Sequence, residues 1–138
     1  MRFIYGFLVI LILFVACDSK TDNEVKGEWE LIEFAIEGTS GNPVSNEETL
    51  RNAGAVWEMK FSGNGDFRQN FNMRTPEMEM ETEEGTWKTT NDSLIVELQI
   101  NNVESQLEYT YKIAGDTLFL TLAPKQSPAK VKTKFRRK

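Results

Sequence analysis

The chain has 138 residues, which is enough for one domain with a single hydrophobic core. It has no histidine and only one cysteine, which excludes histidine-based nucleophile pairs, intramolecular disulfide bonds and cysteine-rich metal sites. Residues 17–124 carry eight bases against 21 acids, and because this charge repels phosphates we expect no nucleic-acid binding.

The first 17 residues resemble the leader of a bacterial lipoprotein. Met1 and Arg2 give a short positive start, and residues 3–16 form an apolar run of 14 residues. A helix needs about 20 apolar residues to span a membrane, so the run has the length of a secretory signal instead. It ends in Phe14-Val15-Ala16-Cys17, which resembles the lipobox, a motif whose cysteine receives diacylglycerol before the leader is cleaved.

This resemblance predicts a signal peptide over residues 1–16, lipidation of Cys17 and a lipidated polar tether over residues 17–26. Acyl chains such as palmitate would anchor the protein to a bacterial membrane, outside the cytoplasm. We expect the outer membrane, on either its periplasmic or its cell-surface side. The alternative is an ordinary signal peptide followed by an incidental cysteine.

From Gly27 onward, apolar and polar residues alternate, which is typical of strands with one face in a core. The first strand changes parity: Trp29 and Leu31 share one face, and the apolar residues that follow share the other. A β-bulge near Leu31-Ile32 would turn them all inward. Five further strands are predicted, separated by turn residues, over residues 57–61, 67–74, 94–100, 107–113 and 117–122.

One short helix is predicted after the first strand. Ser45 and Glu48 have the spacing of a capping box, Leu50 is apolar, and Gly54 ends the segment.

The basic C-terminal segment alternates as well. Residues 129, 131, 133 and 135 would face one way, and Lys130, Lys132 and Lys134 the other. We predict a final strand, with a loose basic tail as the alternative. Antiparallel pairing with the first strand would place these lysines beside its outward glutamates and close a barrel without sheet edges.

Several short motifs resemble those of lipocalin-like domains. Gly27-x-Trp29 is similar to the Gly-x-Trp of lipocalins, whose tryptophan plugs one end of the barrel. Phe61-Ser-Gly-Asn-Gly65-Asp-Phe67 and Gly85-Thr-Trp87 resemble segments of lipocalin-like lipoproteins of the Bacteroidota. The resemblance spans roughly residues 26–124 and implies a small meander barrel with no catalytic residues to carry over. Together with the strand pattern, it predicts an all-β fold, a single antiparallel meander barrel of about eight strands over residues 27–138.

Methionine and aromatic residues of the strands are the candidate binding residues, because they give broad and adaptable apolar contact. An eight-stranded barrel either packs its own side chains or holds one small ligand. We expect a filled or nearly filled interior. If a cavity exists, the candidates to line it are Trp57, Met59, Phe61, Phe71, Met73, Met78, Met80, Trp87, Tyr109 and Tyr111.

The acidic segment 77–84 holds five glutamates and two methionines. We interpret it as a strand with Glu77, Glu79, Glu81 and Glu83 outward and the methionines inward. A calcium site is the alternative, but the segment lacks the ligand spacing and the glycine of a calcium loop.

The leading functional hypothesis is a non-catalytic, membrane-anchored envelope lipoprotein that binds a small hydrophobic ligand. The alternative is an interaction module with a packed core, an inhibitor or assembly factor that docks another envelope protein. We expect no cofactor, no metal and no enzymatic activity, because the short chain leaves little room for a groove flanked by two catalytic carboxyl groups.

Overall fold

The computed structural model describes residues 24–38, 41–123, 125 and 129–138. The predicted signal peptide and Cys17 lie outside these residues. The elements, in chain order, are β1 (Gly27–Glu37), β2 (Val44–Ser45), α1 (Glu47–Asn52), β3 (Trp57–Phe61), β4 (Asp66–Phe71), β5 (Glu81–Thr90), β6 (Ser93–Ile100), β7 (Val103–Ala114), β8 (Thr117–Leu122) and β9 (Lys130–Arg137).

The strands form one antiparallel sheet that closes on itself. From β3 to β9 each strand pairs with the next one along the chain, and β1 pairs with both β3 and β9. The two residues of β2 add a short pairing to Phe34 and Ala35 of β1. The predicted meander barrel of about eight strands, with a short helix after the first strand, is confirmed.

The bulge predicted in β1 is present. Leu31 pairs with Phe135, but the next pair along β9 is Lys134 with Glu33, so Ile32 is the extra residue. The extra residue shifts the alternation of inward and outward side chains by one position. Trp29 and Leu31, which precede the bulge, point inward, and Glu33, which follows it, points outward beside Lys134.

The pairing of β1 with β9, the closing seam, is bordered on the outside by opposite charges. Lys132 Nζ lies 3.0 Å from Glu37 Oε2, Lys134 pairs with Glu33, and Arg136 Nη2 lies 2.6 Å from Glu30 Oε1. Each exposed ion pair adds little stability by itself. Their alignment agrees with the antiparallel register of β1 and β9, and the prediction of a final strand whose lysines face glutamates is confirmed.

Arg136 also joins the seam to the helix. Its Nη2 donates a hydrogen bond of 2.9 Å to Glu47 Oε1 at the start of α1. This hydrogen bond is the main reason that the pKa of Glu47 is lowered and the pKa of Arg136 is raised.

The N-cap of the helix lies one residue later than predicted. Asn46, not Ser45, is the N-cap, and its Oδ1 accepts from Thr49 N at 2.9 Å. Ser45 cannot cap because it belongs to β2 and pairs with Phe34. Among the described residues, no helix is long and apolar enough to cross a membrane.

A tight turn that the sequence analysis did not identify joins β6 to β7. Asn101 and Asn102 have φ values of 51° and 64°, the left-handed conformations that a two-residue hairpin requires. Asparagine tolerates these angles better than most residues. As a result, β7 begins at Val103, four residues before the predicted start of that strand.

One end of the barrel, the closed end, is plugged by Trp29. This side chain is 0% exposed, and its Nε1 donates to Val25 O at 2.8 Å. The Arg137 guanidinium lies 4.2 Å from the ring centroid and donates to Lys26 O and Glu24 O. Residues 24–26, predicted to belong to the tether, lie against the closed end, where their carbonyl groups accept hydrogen bonds from Trp29 and Arg137.

Candidate functional site

The opposite end of the barrel, the open end, contains a cavity of about 320 Å³. It lies where β1, β4, β6 and β8 end and where β3 and β7 begin. Its walls are mainly apolar and aromatic. The lining residues are Phe34, Trp57, Gln69, Phe71, Met73, Arg74, Ile100, Leu107, Tyr109 and Leu122.

The interior is therefore filled at one end only. Phe61 packs against Phe67 and Trp87 with ring centroids 5.1 and 5.4 Å apart, and Met59 is buried in the same cluster. Toward the open end the side chains leave the cavity between them. We expected a filled or nearly filled interior; core side chains fill the closed end, and the cavity is left at the open end.

The ten predicted lining residues separate into three groups. Four of them line the cavity, namely Trp57, Phe71, Met73 and Tyr109. Met59, Phe61 and Trp87 are buried in the core, and Tyr111 packs against it. Met78 and Met80 were expected to point inward, but they lie in the loop before β5, where Met78 has a φ of 54° and Met80 is 57% exposed. Contact with a ligand stays a prediction for all ten.

The acidic segment also differs from its prediction. The strand begins only at Glu81, so the alternation over residues 77–80 is not that of a strand. Glu83 has the parity of Gly85 and Trp87, and it points inward with only 8% of its surface exposed. The predicted outward direction of Glu83 is therefore wrong, because the inward position of Trp87 sets the parity of β5.

A chain of hydrogen bonds connects Glu83 to the cavity. Trp57 Nε1 donates to Gln69 Oε1 at 3.0 Å, and Gln69 Nε2 donates to Glu83 Oε1 at 2.9 Å. Arg74 Nη2 donates to the same carboxylate oxygen at 3.0 Å. A buried carboxylate needs such partners, because without them its desolvation would be strongly unfavourable.

Arg74 is the centre of this hydrogen-bonded group, which we call the polar wall of the cavity. Its Nη1 lies 3.1 Å from Glu81 Oε2, and its guanidinium carbon lies 4.5 Å from the centroid of the Phe71 ring. The arginine is thus held by two carboxylates and by a cation–π contact, while it still lines the cavity.

The Tyr109 hydroxyl completes the polar part of the site. Burial, and to a smaller extent the negative charge of Glu83, raises the pKa of Tyr109 to about 12. The phenol is therefore neutral near pH 7, and its hydroxyl can both donate and accept a hydrogen bond.

Sequence reasoning missed six lining residues, of which Gln69 and Arg74 are the polar ones. Gln69 carried a signal, because it is a polar residue in the inward register of Phe67 and Phe71. Arg74 carried none, since it follows the end of β4 and its direction depends on the loop.

A larger depression of about 630 Å³ lies outside the barrel, over β5, β6 and β7. Its charged lining residues are Glu84, Glu97 and Glu104. Among the described residues there is no group of three or more acidic, histidine or cysteine side chains placed to hold a metal ion. The cavity inside the barrel, with its mainly apolar walls, is therefore the better candidate for a binding site.

Comparisons with known proteins agree with this geometry. The sequence profile described as a lipocalin-like domain matches residues 25–120. No curated protein matches the chain significantly.

Among solved structures, a lipocalin-like protein from Bacteroides uniformis is similar, with a TM-score of 0.54 and 12% identity over 83% of this chain and 99% of that chain. An uncharacterized protein from Bacteroides eggerthii gives 0.51 and 14% over 82% and 98%. A fluorescence-activating β-barrel designed de novo gives 0.51 and 12% over 87% and 99%. At these identities the likeness shows the fold alone.

Proposed function

Because the chain belongs to the family of lipocalin-like domains, we propose that it binds a small apolar ligand, without catalysis, in the open end of its barrel. We also propose that Cys17 anchors it to a bacterial membrane outside the cytoplasm, on the outer membrane. The lipocalin-like barrel is compatible with small-ligand binding. The cavity at the open end is the observation that carries the ligand proposal.

The size and walls of the cavity support a small ligand. About 320 Å³ is near the lower end of the range for small-molecule sites, which are usually mainly apolar with a few placed polar groups. Trp57, Phe71 and Met73 supply apolar contact, while Arg74 and Tyr109 supply the polar groups. The ligand therefore has an apolar body and one polar end.

Filling the cavity should abolish binding. We expect Leu107→Trp, which places a larger ring in the cavity, to weaken the binding of a fluorescent hydrophobic dye at least tenfold. A matched control on the same strand is Val103→Trp, since Val103 is 64% exposed and outside the cavity. Saturation of dye fluorescence measures both affinities.

The control should bind like the original protein. Equal affinity in Leu107→Trp and Val103→Trp would place the dye elsewhere. If the original protein shows no saturable binding, the ligand proposal is wrong and the alternative of an interaction module gains support.

The anchor is supported by the leader, the apolar run that ends in Cys17. Acyl chains contribute about 0.8 kcal/mol per buried methylene, so two or three chains hold a protein at a membrane durably. We expect Cys17→Ala to release the protein from the membrane fraction or to block its maturation, and globomycin to cause accumulation of the precursor.

Ser19→Ala is the control and should be processed normally. Mass spectrometry of the mature protein should find Cys17 at its N-terminus, heavier by its lipids. Normal processing of Cys17→Ala to a membrane-bound form would contradict the anchor.

A further inference from the structure

The charges at the polar wall of the cavity do not balance. Arg74 is the only charged residue among the described residues that line the cavity. Glu83 and Glu81 both bind it, at 3.0 and 3.1 Å. With one guanidinium against two carboxylates, the group (the Arg74–Glu81–Glu83 cluster) carries a net charge of −1.

Arg74 is consequently a poor partner for an anionic ligand. Two carboxylates already neutralise its charge, and the Phe71 ring occupies one face of the guanidinium. A carboxylate entering the cavity would become a third negative charge beside one positive charge. In a partly desolvated site this repulsion is weakly screened.

The Tyr109 hydroxyl reports the same electrostatic environment. Burial and the charge of Glu83 both oppose ionisation of this phenol, which lines the cavity. Burial would oppose a charge of either sign beside it, whereas the negative charge of Glu83 opposes an anion and favours a cation.

From this charge balance we infer that the ligand is a cationic amphiphile, an organic ammonium with an apolar body. The inference rests on the proposed ligand-binding function. An ammonium group in the cavity offsets the net negative charge of the Arg74–Glu81–Glu83 cluster, and the apolar body lies against Trp57 and the apolar walls.

A matched series of probes tests the sign of the charge. Decylammonium, decanol and decanoate have the same apolar chain and differ in the charge of the head group. We expect decylammonium to bind the full chain at least tenfold more tightly than decanoate at pH 7.5 by calorimetric titration, with decanol between them.

A substitution then tests the residues. Glu81→Gln removes one negative charge and makes the cluster neutral, and its side chain is 34% exposed, so the fold should tolerate it. We expect the ratio of decylammonium to decanoate affinity to fall at least fivefold. Glu104→Gln, on the exposed outer face of β7, should leave the ratio unchanged.

The outcomes separate the two proposals. Decanoate binding as tightly as decylammonium, or an unchanged ratio in Glu81→Gln, would overturn the cationic ligand but leave ligand binding intact. Failure of all three probes to bind would overturn the proposed function itself. A thermal melt of Glu81→Gln that matches the original protein confirms that the variant is folded.

Discussion

Deletion of residues 128–138 is expected to abolish cooperative unfolding and to leave a chain that aggregates. This segment contains β9, which pairs with β1 along nearly its whole length and with β8 on its other side. Its Phe135 is buried in the core and packs edge-on against Trp57 at 5.3 Å. Removing β9 opens the barrel and exposes two unpaired edges, which is a template for association.

Thermal unfolding followed by circular dichroism, together with light scattering, measures the effect. The control is a triple substitution of Lys132, Lys134 and Arg136 by Gln, which keeps the strand and removes its outward charges. Because exposed ion pairs contribute little, this variant should retain a cooperative transition with a modestly lower melting temperature. An unchanged melting temperature in the truncated chain would show that β9 is not needed for closure.

Trp29→Ala should lower the free energy of unfolding by about 3–5 kcal/mol, the usual cost of removing a large buried aromatic side chain. Trp29 is fully buried, and both its ring nitrogen and its ring face have partners. The substitution leaves a cavity at the closed end, and the Arg137 guanidinium loses the ring on which it lies. Urea unfolding measures the loss.

Trp29→Phe distinguishes packing from hydrogen bonding. It keeps an aromatic ring but removes the donor to Val25 O, so we expect a smaller loss, about 1–2 kcal/mol. If Trp29→Ala destabilises the protein by less than 1 kcal/mol, the plug is not a principal source of stability.

The strands could be predicted because most of them have one face in the core and one in water. The alternation identified β3, β6, β7, β8 and β9, and the change of parity after Leu31 located the bulge in β1. These features depend on local sequence. Even the strand β9 was recognisable, because its lysines alternate with residues of the core.

The cavity could not be predicted, because it depends on how side chains from distant strands fill a common volume. Phe34, Ile100 and Leu107 are ordinary strand residues in the sequence, and only closure of the barrel brings them together. The error at Glu83 has a different cause. The predicted inward direction of Met78 and Met80 suggested that Glu83 points outward. These methionines lie in a loop, however, and Trp87 determines which residues of β5 point inward.

The polar wall could not be predicted from local sequence patterns either. A buried carboxylate is unfavourable unless it is paired, so the sequence pattern favoured an outward Glu83. Its partners, Gln69 and Arg74, come from β4 and the loop that follows, and no local spacing links them to β5.

The position of the plug has a consequence for orientation. The described chain enters the barrel at the closed end, where Arg137 holds the carbonyl groups of residues 24 and 26. Six residues separate Cys17 from Glu24, a reach of about 25 Å when fully extended. If Cys17 is acylated, this short tether turns the closed end of the barrel toward the lipid and the open end toward the aqueous compartment. A ligand in the open end would then exchange with water or with a soluble carrier, and not directly with the membrane leaflet.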